Sequence, residues 1–338
     1  MKKAVVLFNL GGPDKLESVE PFLFNLFNDP AIISIPSFIR YPLAKFISKM
    51  RAPIAKNIYR EIGNKSPILR LTQDQAKSLE NNLSKKGDYK CFVVMRCWNP
   101  RAIDVIKKVK EYNPEEIILL PLYPQFSATT SGSSITEWNI SCKKENYKIK
   151  TKTICCYPTE SNFIESHVSL IKKTLQNIEN NNFKLIFSAH GLPESKIKKG
   201  DPYQWHVEET VKEIMSKLKN ENLDYIISYQ SRVGPMKWIG PSTDAEIIKY
   251  SREKKGIIIV PVAFVSEHSE TLVELDIEYK KLAEKNGCAF YKRVPALGVE
   301  ENFIKGLATL VLQQETRGNF VSSIMCSNKY VKCPCLGL

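Results

Sequence analysis

The chain has 338 residues, 43% hydrophobic and 25% charged, a mixture that excludes a disordered or fibrous protein and suits two globular domains. Its net charge of +13 comes mainly from scattered lysines and accompanies no DNA- or RNA-binding motif, so nucleic acid is not an expected partner. No apolar run reaches transmembrane length.

Val5–Asn9 reads as a first buried strand. It is too short for the core of a signal peptide and meets Gly11-Gly12-Pro13-Asp14 without a cleavage site, so the expectation is a cytoplasmic protein. Its nine cysteines are then reduced thiols or metal ligands. Segment 35–55 interleaves Phe38, Tyr41, Leu43, Phe46 and Ile47 with Arg40, Lys45, Lys49 and Arg51, the composition of an amphipathic surface segment. Beyond it, Thr72–Lys85 reads as a helix with Thr72 and Gln75 as a capping box.

Further strands are expected at Cys91–Met95, Ile117–Pro121, Lys150–Cys155, Leu185–Ser188, Tyr225–Tyr229, Ile257–Val262 and Cys288–Tyr291. Helical patterns separate them at Pro100–Tyr112, Phe163–Ile178, Trp205–Leu218, Asp244–Glu253, Glu270–Lys285 and Glu300–Glu315. This alternation predicts an α/β fold with parallel sheets. Ile117–Tyr123 also resembles Ile257–Ala263, and a proline loop precedes each, at Asn99-Pro100 and Gly234-Pro235. The repeat predicts two similar doubly wound, Rossmann-like lobes, 1–160 and 161–315, followed by a tail, 316–338. Ligands in such sheets bind at the carboxyl ends of strands.

Two strand ends carry ionisable groups. His190 closes the buried run Leu185–Ala189, and Gly191 lets the backbone turn. An imidazole there can ligate a metal or take a proton near neutral pH. After Pro261-Val262 come Glu267, His268 and Glu270, and Glu274 and Glu278 follow Glu270 on one helical face. Glu270, nearest the strand end, is the site candidate; Glu278 reads as a solvated carboxylate. In the tail, Cys326, Cys333 and Cys335 cluster, and three thiolates need a fourth ligand to close a zinc or iron–sulfur site.

Over nearly its whole length the sequence resembles ferrochelatases. The marks are Asn9–Pro13, Tyr59–Gly63 before Ser66-Pro67, Pro121–Ser127, Ser188–Pro193, Gln230–Met236 and Glu270–Tyr279, in that order. The resemblance implies chelatase-type lobes that clamp protoporphyrin IX and insert Fe(II), with loss of two protons, in the last step of haem synthesis. It places the metal-site histidine on His190 and the essential carboxylate on Glu270. It puts Leu10, Arg51, Tyr59, Arg96, Tyr123, Ser127 and Trp238 around the porphyrin, with 35–55 as the lip of its mouth.

The roles of His190 and Glu270, one handing in the metal and the other taking protons, stay open at this level. Some members carry a [2Fe–2S] cluster on tail cysteines, which implies one on Cys326, Cys333 and Cys335. Animal members place an upstream cysteine where this chain has Ala128. The fourth thiolate is therefore left to Cys156, Cys155 or Cys142, with Cys156 preferred. A peripheral contact with the inner membrane and an oligomer are both compatible with the resemblance. Coproporphyrin ferrochelatase, cobalt chelatase and a non-catalytic porphyrin binder are the alternatives, the last disfavoured by the presence of both His190 and Glu270. A nucleotide-binding enzyme is not expected, because Gly11-Gly12-Pro13 lacks the G-x-G-x-x-G fingerprint.

Overall fold

A computed structural model describes residues 1–176, 178, 182–219, 223–232, 234, 236–313 and 319–336. The chain divides into two compact units, Met1–Cys155 with Leu307–Ser322, and Cys156–Gly306 with the tail from Ser323. In chain order the first holds β1 (Lys2–Asn9), α1 (Val19–Phe27), α2 (Ser37–Arg60), α3 (Ile68–Leu83), β2 (Asp88–Met95), α4 (Ala102–Tyr112), β3 (Glu116–Pro121) and α5 (Ser131–Lys144). β4 (Lys150–Cys156) follows. The second holds α6 (Ser161–Leu175), β5 (Phe183–His190), α7 (Glu194–Lys198), α8 (Tyr203–Lys217), β6 (Tyr225–Gln230), α9 (Thr243–Arg252) and β7 (Gly256–Pro261). A π-helical segment (Glu270–Glu278), α10 (Tyr279–Lys285) and β8 (Tyr291–Arg293) follow. α11 (Glu301–Leu312) leads back to β9 (Phe320–Ser322) on the first sheet.

The sheets run β2-β1-β3-β4-β9 and β6-β5-β7-β8. Pairings among β1–β4 and among β5–β8 are parallel. Taken in chain order, both read 2-1-3-4, a doubly wound order whose switch points lie between β1 and β3 and between β5 and β7. β3 and β7, the strands singled out by the sequence repeat, are buried along their whole length. On one face of the first sheet, Ala4, Val6, Phe8, Phe92, Val94, Ile117 and Leu119 pack with α4 and with Trp138 of α5. In the second, Ile186, Ile257 and Ile259 pack with α9, α10 and Leu275. Truncating one of these isoleucines to alanine costs about 2–5 kcal/mol.

Two details extend the repeat. After β2 the Pro100 carbonyl accepts the Met95 N–H at 2.8 Å, and after β6 the Pro241 carbonyl accepts the Tyr229 N–H at 2.9 Å. The counterpart of Asn99-Pro100 is thus Gly240-Pro241, not Gly234-Pro235; Val233 and Pro235 lie outside the described residues. The second detail is a matched pair of helix caps. Glu160 accepts the Phe163 N–H at 2.7 Å and the Asn162 amide at 2.9 Å, and Glu300 does the same for Phe303 (2.9 Å) and Asn302 (3.3 Å).

Several element bounds differ from expectation. α3 begins after Pro67, so Thr72 lies inside it and its hydroxyl bonds back to the Ile68 carbonyl at 2.7 Å; there is no capping box at Thr72. β8 starts at Tyr291, where Cys288–Tyr291 was expected. α11 is described to Leu312, and the expected end at Glu315 lies outside the described residues. α2 inverts the usual pattern, burying Ala44, Ser48 and Ala52 while leaving Phe38, Phe46, Met50 and Ile54 at least 63% exposed. Among the described residues no helix is long and apolar enough to cross a membrane.

Candidate active site

β5 delivers His190 to the switch point of the second sheet. Its Nδ1 lies 2.7 Å from the Gly191 carbonyl oxygen. A carbonyl only accepts, so Nδ1 is the donor there and Nε2 is the ring nitrogen turned toward the site. The turn requires glycine at 191: a Cβ there would stand 2.9 Å from the Gln230 carbonyl oxygen and 3.3 Å from the Trp238 ring. Trp238 pairs with Pro193 in an antiparallel bridge, Ile239 donates to the Leu192 carbonyl (3.0 Å), and Glu194 donates to that of Lys237 (2.9 Å). Segment 237–239 thus straps down the loop that carries His190.

From β7 the chain turns through Phe264–Ser269 into the π-helical segment. His268 sets its Nδ1 3.1 Å from the Ser266 carbonyl, so its Nε2 is likewise the ring nitrogen turned toward the site. The Glu270 carboxylate lies between the two imidazoles. Its Oε1 is 3.8 Å from His190 Nε2, and its Oε2 is 3.7 Å from His268 Nε2. Burial pushes the Glu270 pKa up, but the adjacent His190 and His268 outweigh it and hold the carboxyl at about 2. Oε2 is shielded from solvent without a hydrogen-bond partner among the described residues. Such an oxygen is costly to bury, and a cation would relieve it. One carboxylate flanked by two imidazole nitrogens is a donor set that suits a divalent first-row metal and can also take up protons.

Glu274 is held differently. It accepts from Gln230 Nε2 (3.0 Å), the Ser231 N–H (3.0 Å) and hydroxyl (2.5 Å), and the Tyr279 hydroxyl (3.0 Å). Ser231 adopts φ +58° to present both groups, a left-handed conformation uncommon outside glycine. Burial and the neighbouring Glu270 charge raise the Glu274 pKa. Two carboxyls of one helical segment are therefore driven in opposite directions, the arrangement that divides acid from base. Glu278 is solvent-exposed, as its sequence position suggested.

The structure therefore brings His190, Glu270 and Trp238 together and adds His268 and Glu274. The other sequence candidates lie in the first unit. Leu10 follows β1, its N–H bonded to the Asn9 side chain at 2.8 Å, and Tyr123 and Ser127 follow β3. Burial raises the Tyr123 pKa well above the usual phenol range. Tyr59 is buried on α2 among Val19, Phe22, Ala52 and Cys97, and Arg51 is exposed on the same helix. Arg96 is engaged by carboxylates, with Asp29 at 2.8 Å and Glu137 at 3.3 Å, and its Nε donates to Ser133 at 2.7 Å.

In the tail, Cys333 and Cys335 group with Cys155 of β4, their sulfurs within 4.8 Å of one another. The Cys326 thiol bonds to Cys333, which with burial and the charges of Cys156 and Cys335 pushes its ionisation far up. Thiols that raise one another in this way would be relieved by a shared cation, so the donor set fits a metal centre. Cys326 Sγ also lies 3.4 Å from Nε2 of His206, a buried imidazole whose pKa desolvation lowers to about 4. Tyr330 stacks on Trp205, ring centroids 5.0 Å apart, and fastens the tail to α8. Cys142, the third candidate for the upstream ligand, packs instead against the first unit's apolar core.

A family model described as Ferrochelatase matches residues 2–315. The ferrochelatase of Pelagibacter ubique is 62% identical over 99% of each chain, and that of Rickettsia felis is 51% identical over the same shares. Among solved structures, SirB from Bacillus subtilis with Fe3+ superposes with a TM-score of 0.51 at 12% identity, covering 92% of this chain and 94% of SirB. CbiX, from siroheme biosynthesis in denitrifying bacteria, gives 0.50 at 10% identity, covering 94% and 100%. At these identities the two structures establish a shared fold.

Proposed function

The chain belongs to the ferrochelatase family, and from that premise we propose how its own residues carry out the reaction. It is a ferro-lyase that inserts iron into porphyrin for haem synthesis. Fe(II) is the substrate ion, and protoporphyrin IX is the proposed acceptor. Insertion must expel two pyrrole N–H protons and turn the nitrogen lone pairs toward the ion. The protein therefore needs an anionic ligand for iron and a base for protons.

In this reading Glu270, ionised under all ordinary conditions, receives the ion. His190 takes the pyrrole proton through Nε2. His268 steadies the Glu270 carboxylate from its other side, and Glu274, with its raised pKa, takes protons onward. Leu10, Tyr123, Ser127 and Trp238 contact the macrocycle. The exposed Arg51 meets a propionate, while Arg96 and Tyr59 support the strand ends. The observation that carries this reading is the Glu270 carboxylate set between two imidazole Nε2 atoms at 3.8 and 3.7 Å. Following the Soret band while Fe(II) is added to protoporphyrin IX or coproporphyrin tests it. Metallation of protoporphyrin by the wild type but not by His190→Ala is expected, and equal rates would overturn it.

We also propose that Cys326, Cys333, Cys335 and one of Cys155 or Cys156 hold a [2Fe–2S] cluster. Bound, the cluster would tie the tail to the end of β4 and offer one-electron chemistry. Iron insertion itself moves no electrons, so its role is structural or regulatory. Anaerobically purified protein should be brown with about two irons per chain. Serine at Cys155 or at Cys156, tested separately, identifies the fourth ligand as the one whose loss bleaches the protein; a colourless wild type overturns the cluster. The exposed aromatic face of α2, with Lys45, Lys49 and Arg51, is proposed to rest on an anionic bilayer surface. Salt-sensitive binding to anionic vesicles is expected, and vesicle-independent self-association through this face would contradict it.

A further inference from the structure

We propose that Arg293 is a positioning residue that keeps the Glu270-bearing segment set against His190, and thereby governs the rate of iron insertion. The inference rests on reading His190 and Glu270 as the reacting pair.

A π-helical coil is wider than an α-helix and rarely sustains itself over more than one turn. Here it runs from Glu270 to Glu278, with the Tyr279 N–H reaching back five residues to the Glu274 carbonyl. Such a segment needs anchors from outside, and β8 supplies them. Tyr291 and Arg293, two residues apart on one strand face, both reach the segment. The Tyr291 hydroxyl donates to the Leu275 carbonyl at 2.6 Å.

Arg293 does more. Its Nε and Nη2 hold the two Asp276 oxygens at 2.6 and 2.8 Å, and its Nη1 holds the Glu267 carboxylate at 2.9 and 3.2 Å. Glu267 is fixed further by the Ala296 N–H at 3.0 Å. One guanidinium, its side chain only 11% exposed, thus spans from three residues before Glu270 to six residues after it. It grips the loop that carries His268 and the coil that follows Glu270 at once.

Two properties make this a clamp and not simply a buried ion pair. The planar fork engages both carboxylates in fixed directions, which an ammonium cannot reproduce. It also neutralises Glu267 of the loop and Asp276 of the coil together; without the cation, these like charges would push the loop and the coil apart. A displacement of about 1 Å at a reacting group can cost on the order of a hundredfold in rate.

The test is Arg293→Lys in the full chain, with kcat and both KM values measured anaerobically well below the melting temperature. The charge remains and the fork is lost. We expect kcat to fall by about tenfold, KM for Fe(II) to rise, and KM for porphyrin to stay within about twofold of wild type. Tyr291→Phe should move the same parameters in the same direction by less. Wild-type kcat in Arg293→Lys, even with a lowered melting temperature, would mean a purely structural residue and overturn the proposal. If that variant does not fold, Asp276→Asn gives the answer, since it keeps Arg293 on Glu267. A kcat loss of about threefold at unchanged porphyrin KM supports the clamp, and wild-type kcat overturns it. Glu270→Gln is assayed alongside: normal turnover there would overturn the reacting pair itself, whatever Arg293 does.

Discussion

The strand ends at the switch points of the two sheets occupy equivalent places in the same 2-1-3-4 order, yet they carry different chemistry. At the first, the Asn9 amide donates to the Thr72 hydroxyl (3.1 Å) and accepts the Leu10 N–H (2.8 Å), and Ser127 pairs with Thr129 at 2.8 Å. These groups are neutral, and they bond to one another. At the second stand His190, His268 and Glu270, with two imidazole Nε2 atoms facing a carboxylate whose Oε2 has no hydrogen-bond partner among the described residues. The following helices differ too, since α5 is a regular α-helix and Glu270 opens a π-helical coil. Sheet topology provides the same crevice edge twice, and the side chains alone give the two edges different chemistry.

The comparison breaks if the ionisable end proves dispensable. His190→Ala and Glu270→Gln should each lower turnover by about a thousandfold or more, because in the proposed mechanism one removes the base and the other the anionic ligand. Steady-state Soret assays on folded, porphyrin-binding protein check this.

Within the second unit, Glu274 and Glu278 sharpen it. Glu274→Gln should cost roughly ten- to a hundredfold in kcat, since it loses the proposed proton acceptor beside Glu270. Glu278→Gln should cost less than about tenfold, because that carboxylate faces solvent. Equal losses would mean that the coil presents both to the site. The smallest effects belong to the first unit, where Ser127→Ala and Tyr123→Phe should change kcat by about threefold at most while KM for porphyrin rises. A larger kcat effect there would place reacting groups at both switch points.

Strands β1, β3, β5 and β7 were legible, because each is a short buried run of mostly apolar residues bounded by turns. β9 was not, since it has three residues and buries only Val321. α5 escaped notice because it opens with Ser131-Gly132-Ser133-Ser134, poor helix formers held by buried tertiary contacts. The false capping box arose from local pattern alone; Thr72 faces inward and receives the Asn9 amide.

The sequence singled out His190 and Glu270 by strand-end position and family motifs, and the structure sets the two 3.8 Å apart. His268 stood in the same motif, but only coordinates reveal that its Nε2 shares the Glu270 carboxylate. An α-helical pitch placed Glu270, Glu274 and Glu278 on one face, whereas the π-helical coil leaves Glu278 in solvent and ties Glu274 to Ser231, a pitch that sequence periodicity does not encode. The Arg293 clamp was invisible because its partners lie 17 and 26 residues away.

Single-turnover metallation tests the central claim most directly. Glu270→Gln, loaded with one equivalent of protoporphyrin IX and mixed anaerobically with Fe(II), should quench porphyrin fluorescence on binding as the wild type does and then show no Soret shift on the wild-type timescale. A Soret shift at the wild-type rate would contradict the assignment of the reacting centre to the His190–Glu270 pair.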